Sequence, residues 1–386
     1  MNKRVLGLIL ELNPFHNGHS YFIHQAKEKV NPDVTIAIIT TSFTMRGDIS
    51  VMDKFEKAKL LIDADVDLVL ELPFVFSNNS ASYFASSAVS ILNNMNITHL
   101  AFGAELDDIS KLQTLEKIQS SITFNENIKK YLDKGNSYPT SSLKALMEET
   151  SDQELINNYP LSNNTLAINY LSAIKKINDK ITPVVIKRID NDYNSKDVKE
   201  NTLASATALR EKIKLKEDIF PYIPNYNYNF IDIDKSYDNL YKLLKYNLLT
   251  SDVTDYANVV EGIENRFASF INDDNYDDFI KDVNTKRYST SRIKRIVLDI
   301  VLNIPKKYQD MDTYLPYNRI LASSSLGLKY LKGKDIINNT KQFLENGNEE
   351  LKEILQYELK VTKLYDLITN KDSFKNEFIF MVKKWK

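Results

Sequence analysis

The sequence predicts an α/β fold, with a parallel sheet in the first half of the chain and mainly helices in the second. Short runs of Val, Ile and Leu recur in the first half, with a helix-like stretch between successive runs. A strand–helix–strand rhythm of roughly 30 residues is typical of βαβ units. The runs are continuous rather than alternating, which is how strands buried on both faces look. A parallel sheet covered by helices follows from these observations.

Five strands and four helices are predicted in the first half. The predicted strands are Val5–Leu12, Val34–Thr40, Leu68–Leu72, Leu100–Phe102 and Thr182–Ile189. The predicted helices between them are Tyr21–Val30, Asp53–Ala64, Ala81–Asn94 and Thr165–Ile177. Each of the first four strands is followed by a helix that can connect it to the next parallel strand.

The amino-acid composition changes over residues 217–235, where two prolines and interleaved Asn and Tyr indicate an extended connector. Beyond it, helical periodicity predicts the helices Tyr237–Leu248, Ser291–Asn303 and Glu349–Leu359. We therefore expect two domains, an α/β domain over residues 1–216 and a mainly helical domain over residues 217–386.

Composition excludes several classes of site. The 386 residues include no cysteine, so disulfides, thiolate metal sites and a cysteine nucleophile are ruled out. The net charge is −2, so any contact with nucleic acid must come from a local basic patch. No apolar stretch approaches the ~20 residues of a membrane span, and a cytoplasmic location is expected.

Three of the four histidines, His16, His19 and His24, fall in one nine-residue window directly after the first predicted strand. Ligands of open parallel sheets bind beyond the carboxyl ends of the strands. On a helix starting there, His16 and His19 share a face, and Gly18 permits close approach to the backbone. The N–H groups and dipole of a helix N-terminus favour phosphate. This pattern predicts a phosphate site.

A metal site is the alternative for the same pair, because histidines three residues apart on a helix also suit zinc. His24 lies off the shared face, so a third ligand would have to be an Asp or Glu from elsewhere in the chain. We interpret His24 as a solvated helix residue and His99 as a packing residue at a strand end.

The string Glu11-Leu12-Asn13-Pro14-Phe15-His16-Asn17-Gly18-His19 contains the HxGH motif of the nucleotidyltransferase superfamily. The whole string resembles the bacterial tRNA(Met) cytidine acetate ligase family, where it is usually written EYNPFHNGH. Further matching segments extend the resemblance over much of the chain: Met45-Arg46-Gly47-Asp48, Glu71-Leu72-Pro73, Phe102-Gly103-Ala104-Glu105, Asn163-Asn164, Lys187-Arg188, Glu261–Arg266 and Thr285–Tyr288.

The resemblance implies a Rossmann-like nucleotidyltransferase sheet followed by a mainly helical C-terminal domain. It also implies an ATP-dependent ligase that adenylates acetate and passes the acetyl group to N4 of the wobble cytidine of elongator tRNA(Met). His16 and His19 would be catalytic. ATP would be bound by Ile9, Leu10, Glu11, Leu12, Asn13, Pro14, Phe15, His16, Asn17, Gly18, His19, Ser20, Tyr21, Phe22, Gly103, Asn163, Arg188, Ser205, Thr207 and Arg210.

Several of these residues also have simpler interpretations. Gly103 could be a turn glycine, and Asn163 could be the N-cap of the helix that follows it. Ser205 and Thr207 could cap another helix, whereas the resemblance makes them part of a second phosphate motif with Arg210. Mg²⁺ is expected with ATP, since it neutralises phosphate charge. No dedicated metal ligands are predicted.

Residues 281–307 carry eight basic and two acidic side chains. Ile293, Ile296, Ile300 and Ile304 form an apolar stripe at helical spacing, so this helix packs against something. A solvated charged face is one interpretation of the basic residues. The resemblance favours contacts with tRNA phosphates by Lys286, Arg287, Arg292 and Arg295.

The sequence departs from the family pattern at a few positions. Thr40-Thr41-Ser42-Phe43 replaces the usual Ser-Gly-Asn-Phe, and Leu12, Ala104 and Ser162 replace Tyr, Ser and Pro. Two other functions stay open on the sequence: an HxGH enzyme that transfers AMP to a small phosphorylated cofactor precursor, and a non-catalytic RNA-binding protein.

Overall fold

A computed structural model describes residues 3–188, 203–225, 227–309 and 316–383. Within these residues the chain forms one sheet of seven strands. The strands are β1 (Val5–Leu10), β2 (Val34–Thr40), β3 (Leu68–Leu72), β4 (His99–Ala104), β5 (Thr182–Lys187), β6 (Ile320–Ser324) and β7 (Met381–Lys383). The five predicted strands are confirmed, although the predicted end at Ile189 lies outside the described residues.

The strand order is β5-β4-β1-β2-β3-β6-β7. Strands β1 to β5 are mutually parallel, with Leu8 of β1 opposite Ala37 of β2 on one side and Ala101 of β4 on the other. The chain builds β2 and β3 to one side of β1 and then crosses to the other side for β4 and β5. A crevice at the carboxyl ends of β1 and β4 results, which is where such sheets bind ligands.

Burial explains the continuous apolar runs. All residues of β2 and β3 are buried, and β1 has one partly exposed residue, Ile9. Helices cover the sheet: α1 packs against β1, β4 and β5, whereas α4 packs against β2 and β3 and against α9. The predicted α/β fold with a parallel sheet is confirmed.

Seventeen α-helices accompany the strands in the described part of the chain. They are α1 (Asn17–Val30), α2 (Lys54–Asp63), α3 (Phe74–Ser77), α4 (Ala81–Asn94), α5 (Ile109–Gln119), α6 (Ile122–Asp133), α7 (Tyr138–Glu149), α8 (Gln153–Asn158), α9 (Ser162–Ile177), α10 (Ala206–Lys214), α11 (Ile233–Thr250), α12 (Ile263–Phe270), α13 (Tyr276–Val283), α14 (Thr290–Leu302), α15 (Ser325–Leu331), α16 (Thr340–Asn346) and α17 (Glu349–Thr369). Short 3₁₀ turns occupy Phe220–Tyr222, Lys306–Tyr308 and Phe374–Phe378.

The predicted helices are present, and several extend beyond their predicted limits. The first helix begins at Asn17 rather than Tyr21 because His16 caps it. The connector predicted over residues 217–235 contains a 3₁₀ turn at Phe220–Tyr222, and α11 already begins at Ile233 after the N-cap Asp232. The rest of its described residues have no regular structure.

The second half is mainly helical, as predicted, but β6 and β7 return to the sheet. Strand β6 pairs antiparallel with β3, and β7 pairs parallel with β6. The sheet therefore contains strands from both sides of residue 216, and the proposed domain boundary there stays a prediction.

A buried ionic network, defined by Lys54, Glu71, Arg319, Glu358 and Glu377, joins these late elements to the sheet. Lys54 on α2 lies 2.6 Å from Glu71 on β3, 2.8 Å from Glu377 and 3.4 Å from Glu358 on α17. Arg319, next to β6, lies 3.0 Å from Glu71. These buried charges tolerate the low dielectric because they are paired.

Among the described residues, no helix combines the length and apolar character needed to cross a membrane.

Candidate active site

The turn after β1 brings the predicted motif to the sheet crevice. The side chains of Leu12 and Phe15 lie in the hydrophobic core. Asn13 is also buried, and its Oδ1 accepts the backbone N–H of Val51 at 2.8 Å, while its Nδ2 donates to the Ile49 carbonyl at 3.3 Å. These contacts fix the turn that leads to His16, the N-cap of α1. The buried residues of the predicted ATP set therefore support the site from within the core.

His16 and His19 cap α1 reciprocally. The Nδ1 atom of His16 accepts the N–H of Gly18 at 3.1 Å, and the Nδ1 atom of His19 accepts the N–H of His16 at 3.3 Å. This arrangement is a capping box in which imidazoles replace the usual Ser/Thr and Glu/Gln. The two rings lie 3.9 Å apart between centroids.

Burial and nearby positive charges keep both rings neutral, and the capping contacts determine which nitrogen carries the proton. Burial and the Arg188 charge lower the pKa of His16 to about 4. Burial and the charge of His16, with Arg188 and Lys57, lower the pKa of His19 well below its ordinary value. A neutral imidazole that accepts through Nδ1 carries its proton on Nε2. Each ring therefore presents an Nε2–H donor at neutral pH.

Gly18 is required by His16 itself. A Cβ atom at position 18 would lie 2.8 Å from Cε1 and 2.9 Å from Nδ1 of the His16 ring. A side chain there would push the imidazole out of its capping position. The predicted role of Gly18 in admitting a ligand stays a prediction, and the contact with His16 gives a second reason for glycine.

The carboxyl end of β4 carries a second group of predicted residues. Gly103 lies within β4, opposite Ile186 of β5, so its interpretation as a turn glycine is wrong. A Cβ there would lie 3.5 Å from Cγ of Arg188, which is an ordinary contact. The Nη1 group of Arg188 donates to Oδ1 of Asn163 at 3.1 Å. Asn163 is not the N-cap of α9, because that position belongs to Leu161. The N-cap interpretation of Asn163 is therefore wrong, and its amide faces Arg188 instead.

The second predicted phosphate motif lies at the start of α10. Ser205 is the N-cap and its hydroxyl accepts the N–H of Ala208 at 3.1 Å, so the capping interpretation of Ser205 is confirmed. The same interpretation of Thr207 is wrong, because Thr207 lies inside the first turn of α10. Arg210 donates to the Thr207 hydroxyl at 3.1 Å and to the Asn13 carbonyl at 2.9 Å. Arg210 thus ties the start of α10 to the turn that carries the histidines.

Lys57 is not predicted as a site residue, because it resembles a solvated helix residue, but it is fully buried. Its Nζ donates to the carbonyls of Thr41 and Thr40 at the end of β2, at 2.8 and 3.2 Å. Burial lowers the pKa of Lys57 to about 7, against the opposing charge of Glu11. Burial raises the pKa of Glu11, whose carboxylate accepts the N–H of Met45 at 2.7 Å. Lys57 and Glu11 thus form a pair of charged groups close to the histidines.

Helix α14 packs directly on the turn formed by residues 44–48. Gly47 has a left-handed φ of +78°, and a Cβ there would lie 2.7 Å from the backbone carbon of Lys294. Asp48 accepts the Lys294 ammonium at 2.7 Å. Arg295 donates to the Met45 carbonyl at 3.3 Å, and burial lowers its pKa. Arg295 is therefore part of the contact between α14 and the turn over residues 44–48.

The other predicted RNA-binding residues are more accessible. Lys286 and Arg287 are exposed and line a groove that also contains Gly262 and Arg266. The Arg292 guanidinium lies 4.3 Å from the centre of the Tyr288 ring. The groove thus combines cations with an aromatic ring near one end of α14.

The remaining histidines lie apart from the pair. His24 is exposed and lies 3.5 Å from Glu28, and His99 contacts the Thr98 hydroxyl at 2.8 Å where β4 begins. Among the described residues, no group of three or more His, Cys, Asp or Glu side chains is arranged to hold a metal ion.

Comparisons with known proteins agree with this geometry. The HIGH Nucleotidyl Transferase family model matches residues 3–378. Proteins named tRNA(Met) cytidine acetate ligase are similar over nearly their full length. The one from Clostridium perfringens is 32% identical, covering 97% of this chain and 98% of the relative. The one from Staphylococcus saprophyticus is 34% identical, covering 97% of each.

A solved structure is similar as well. The crystal structure of Thermotoga maritima TmcAL bound with alpha-thio ATP superposes with a TM-score of 0.86 at 27% identity, covering 99% of this chain and 100% of that one. Its apo form gives the same values. The chain belongs to the tRNA(Met) cytidine acetate ligase family of HIGH nucleotidyl transferases.

Proposed function

We propose that this protein is an ATP-dependent ligase that activates acetate as acetyl-adenylate and acetylates N4 of the wobble cytidine of elongator tRNA(Met). The observation that carries the proposal is the pair of neutral imidazoles at the start of α1, each with its Nε2–H available as a donor at neutral pH. This arrangement suits the α-phosphate of a nucleotide.

ATP would lie in the crevice between the ends of β1 and β4, where open parallel sheets bind ligands. Gly103 carries no side chain there, and Arg188 brings a positive charge close enough to lower the pKa of both histidines. Ser205, Thr207 and Arg210 would contact the outer phosphates from the start of α10. Mg²⁺ would arrive bound to ATP, because it commonly binds substrate phosphates through oxygen.

In the first step, a carboxylate oxygen of acetate attacks the α-phosphorus, and the bond from that phosphorus to the bridging oxygen of pyrophosphate breaks. Negative charge grows on the non-bridging α-oxygens and on the leaving group. The Nε2–H groups of His16 and His19 can donate to that charge without being protonated first. Donors of this kind are in place before reaction and cost little reorganisation.

In the second step, the N4 amine of cytidine attacks the acetyl carbonyl, AMP leaves with its electron pair and the amine loses one proton. The RNA would approach along the groove that contains Lys286 and Arg287, with Arg292 beside it. Lysine and arginine recognise RNA mainly through its phosphates. Because the proposed substrate is a tRNA, we infer that the reaction takes place in the cytoplasm.

The proposal is tested by incubating purified protein with MgATP, labelled acetate and a tRNA(Met) transcript, and then digesting the RNA to nucleosides. Label on N4-acetylcytidine is expected. A transcript with uridine at the wobble position is the matched control and should acquire no label. Transfer of AMP to a small acceptor without any need for RNA would instead identify a cofactor-forming adenylyltransferase.

RNA binding is measured separately from catalysis, as dissociation constants at several salt concentrations. Replacing Lys286 and Arg287 by Ala should lower the slope of log Kd against log salt by roughly 1.5, since each phosphate contact contributes about 0.7–0.9. Lys329 and Lys332 are the control pair, because they are exposed and lie near α15, at the opposite end of the sheet. An unchanged slope in the Lys286/Arg287 variant would contradict the proposed RNA site.

A further inference from the structure

Glu105 lies just beyond the carboxyl end of β4, and the reaction proposed above assigns it no role. Its carboxylate reaches the first turn of α9. The Oε1 atom accepts the side-chain Nδ2–H of Asn163 at 2.5 Å, and Oε2 accepts the backbone N–H of Asn164 at 2.9 Å. The N-cap of α9, Leu161, offers no side-chain acceptor, so Glu105 supplies it from another element.

The contact with Glu105 determines which way the Asn163 amide points. Its Nδ2 faces the carboxylate, and therefore its Oδ1 faces the opposite side, where it accepts Nη1 of Arg188 at 3.1 Å. A flipped amide would set oxygen against carboxylate and nitrogen against guanidinium, which removes both hydrogen bonds. Glu105 thus fixes the acceptor that Arg188 uses.

Arg188 is the outer member of this chain of contacts. It is exposed, and its charge lowers the pKa of His16 and of His19. An arginine side chain has several rotatable bonds and loses entropy when it is held in one geometry. Among the described residues, no carboxylate lies within ion-pair distance of Arg188. Its direction therefore depends on the neutral Asn163 oxygen.

We propose that Glu105 is a positioning residue for ATP binding. It acts through Asn163 and holds the Arg188 guanidinium toward the phosphates. The interposed amide matters chemically. A carboxylate in direct contact with Arg188 would neutralise its charge, whereas the Asn163 oxygen orients the guanidinium and leaves the charge available to the ligand. This role rests on the ATP-dependent function proposed above.

The test measures ATP affinity by direct titration and the KM for ATP in acetate-dependent exchange of pyrophosphate into ATP. Glu105→Ala should raise both roughly tenfold, the effect of losing about one hydrogen bond to a charged group. The kcat should change far less, because His16 and His19 keep their capping contacts. Glu105→Gln keeps an acceptor oxygen for Asn163 and should recover most of the affinity.

Two further variants separate positioning from folding. In an Arg188→Ala background, Glu105→Ala should have almost no additional effect on ATP affinity, since the residue through which it acts is gone. Asp108→Ala is the matched structural control. Asp108 caps α5 near the same strand end by accepting the N–H groups of Ser110 and Lys111, and it contacts neither Asn163 nor Arg188. Its loss should lower thermal stability without changing the KM for ATP.

Additive effects of Glu105→Ala and Arg188→Ala would overturn the proposal, as would an equal rise in KM from Asp108→Ala. The wild-type protein is titrated with ATP first. Failure of the wild type to bind ATP would contradict the proposed function, whereas ATP binding that is insensitive to Glu105→Ala would contradict only the positioning role.

Discussion

The His16 ring uses Nδ1 to cap α1 and leaves its Nε2–H to donate toward a ligand. An asparagine at this position can perform the first role but not the second, because its carbonyl oxygen is a good N-cap acceptor and it has no group corresponding to Nε2. This difference allows the structural and chemical contributions of one side chain to be measured apart.

We predict that His16→Asn retains most of the thermal stability but loses at least about 100-fold in acetate-dependent pyrophosphate exchange, as expected for removal of a preorganised donor to phosphate charge. His16→Ala is the comparison and should lose both activity and the cap, at a cost of about 1 kcal/mol in the free energy of unfolding. Near-normal exchange by His16→Asn would show that the Nε2–H is not needed.

The low pKa of His16 also predicts how stability depends on pH. The unfolded chain takes up a proton at this residue below its ordinary pKa of 6.5, while the folded protein does so only near pH 4. The unfolded state binds more protons in this window, so stability is lost as the pH falls from 6.5 to 4. His16→Asn removes this loss, which we expect to be on the order of 1–3 kcal/mol.

The measurement is urea unfolding of wild type and His16→Asn at pH 7 and pH 4.5. Because all other titrating groups are shared, the difference between the two proteins isolates the histidine. An identical loss of stability in both proteins on acidification would show that His16 is not kept neutral by the fold.

At the scale of elements, the same physical rule explains which strands the sequence predicts and which it does not. Strands β1 to β5 are parallel, and β1 to β4 are largely buried, so most of them are runs of apolar residues that can be recognised locally. Strand β6, Ile-Leu-Ala-Ser-Ser, is short and partly polar, and it pairs with β3 from far earlier in the chain. Its conformation depends on a partner that no local pattern reveals.

Site residues also divide into those that a local pattern predicts and those that depend on distant contacts. His16 and His19 stand out because a rare residue type recurs at the end of a strand. Asn163 is misread as a cap because the acceptor for α9 is Glu105, which comes from another strand end. Lys57 resembles an exposed helix residue until the turn after β2 covers it. Contacts between elements distant in sequence are the part that local patterns do not predict.

The buried ionic network offers a test at the element scale, because it contains three carboxylates and only two cations. Burial and the neighbouring Glu71 charge raise the pKa of Glu358, which favours its neutral form. Glu71 contacts both Lys54 and Arg319 and also accepts the Tyr317 hydroxyl at 2.7 Å. We expect the two residues to respond very differently to the same substitution.

Glu358→Gln should change the free energy of unfolding by less than about 1 kcal/mol, since glutamine resembles the protonated acid and keeps an acceptor for the Phe74 N–H. Glu71→Gln should cost about 3–5 kcal/mol, because it leaves buried cations with too little negative charge. Chemical denaturation of both variants at pH 7 measures the difference. The reverse order would contradict the charge assignment.

At the scale of the whole molecule, the turn over residues 44–48 joins the end of the sheet where the parallel strands terminate to α14. Gly47→Ala should be strongly destabilising, because it combines a left-handed backbone with overlap against the Lys294 backbone. Gly135→Ala is the matched control, since Gly135 has a similar φ of +81° with no atom within 4 Å of the added Cβ. Thermal or urea unfolding compares the two.

Strain alone costs about 1–2 kcal/mol in either variant. The additional loss expected in Gly47→Ala measures the contact between the turn and α14. Equal destabilisation of the two variants would show that the turn and the helix can move apart at little cost.

The close contact between Gly47 and the backbone of α14 restricts how an RNA substrate could reach the site. The backbone of the helix meets the turn without room for a methyl group, so α14 and the turn over residues 44–48 keep a set spacing. In the proposed reaction, a tRNA loop bound beside α14 would have to bring its reactive base to the histidines itself, by unstacking the base and turning it outward. An RNA loop too stiff to turn its base outward over that distance would bind without being acetylated.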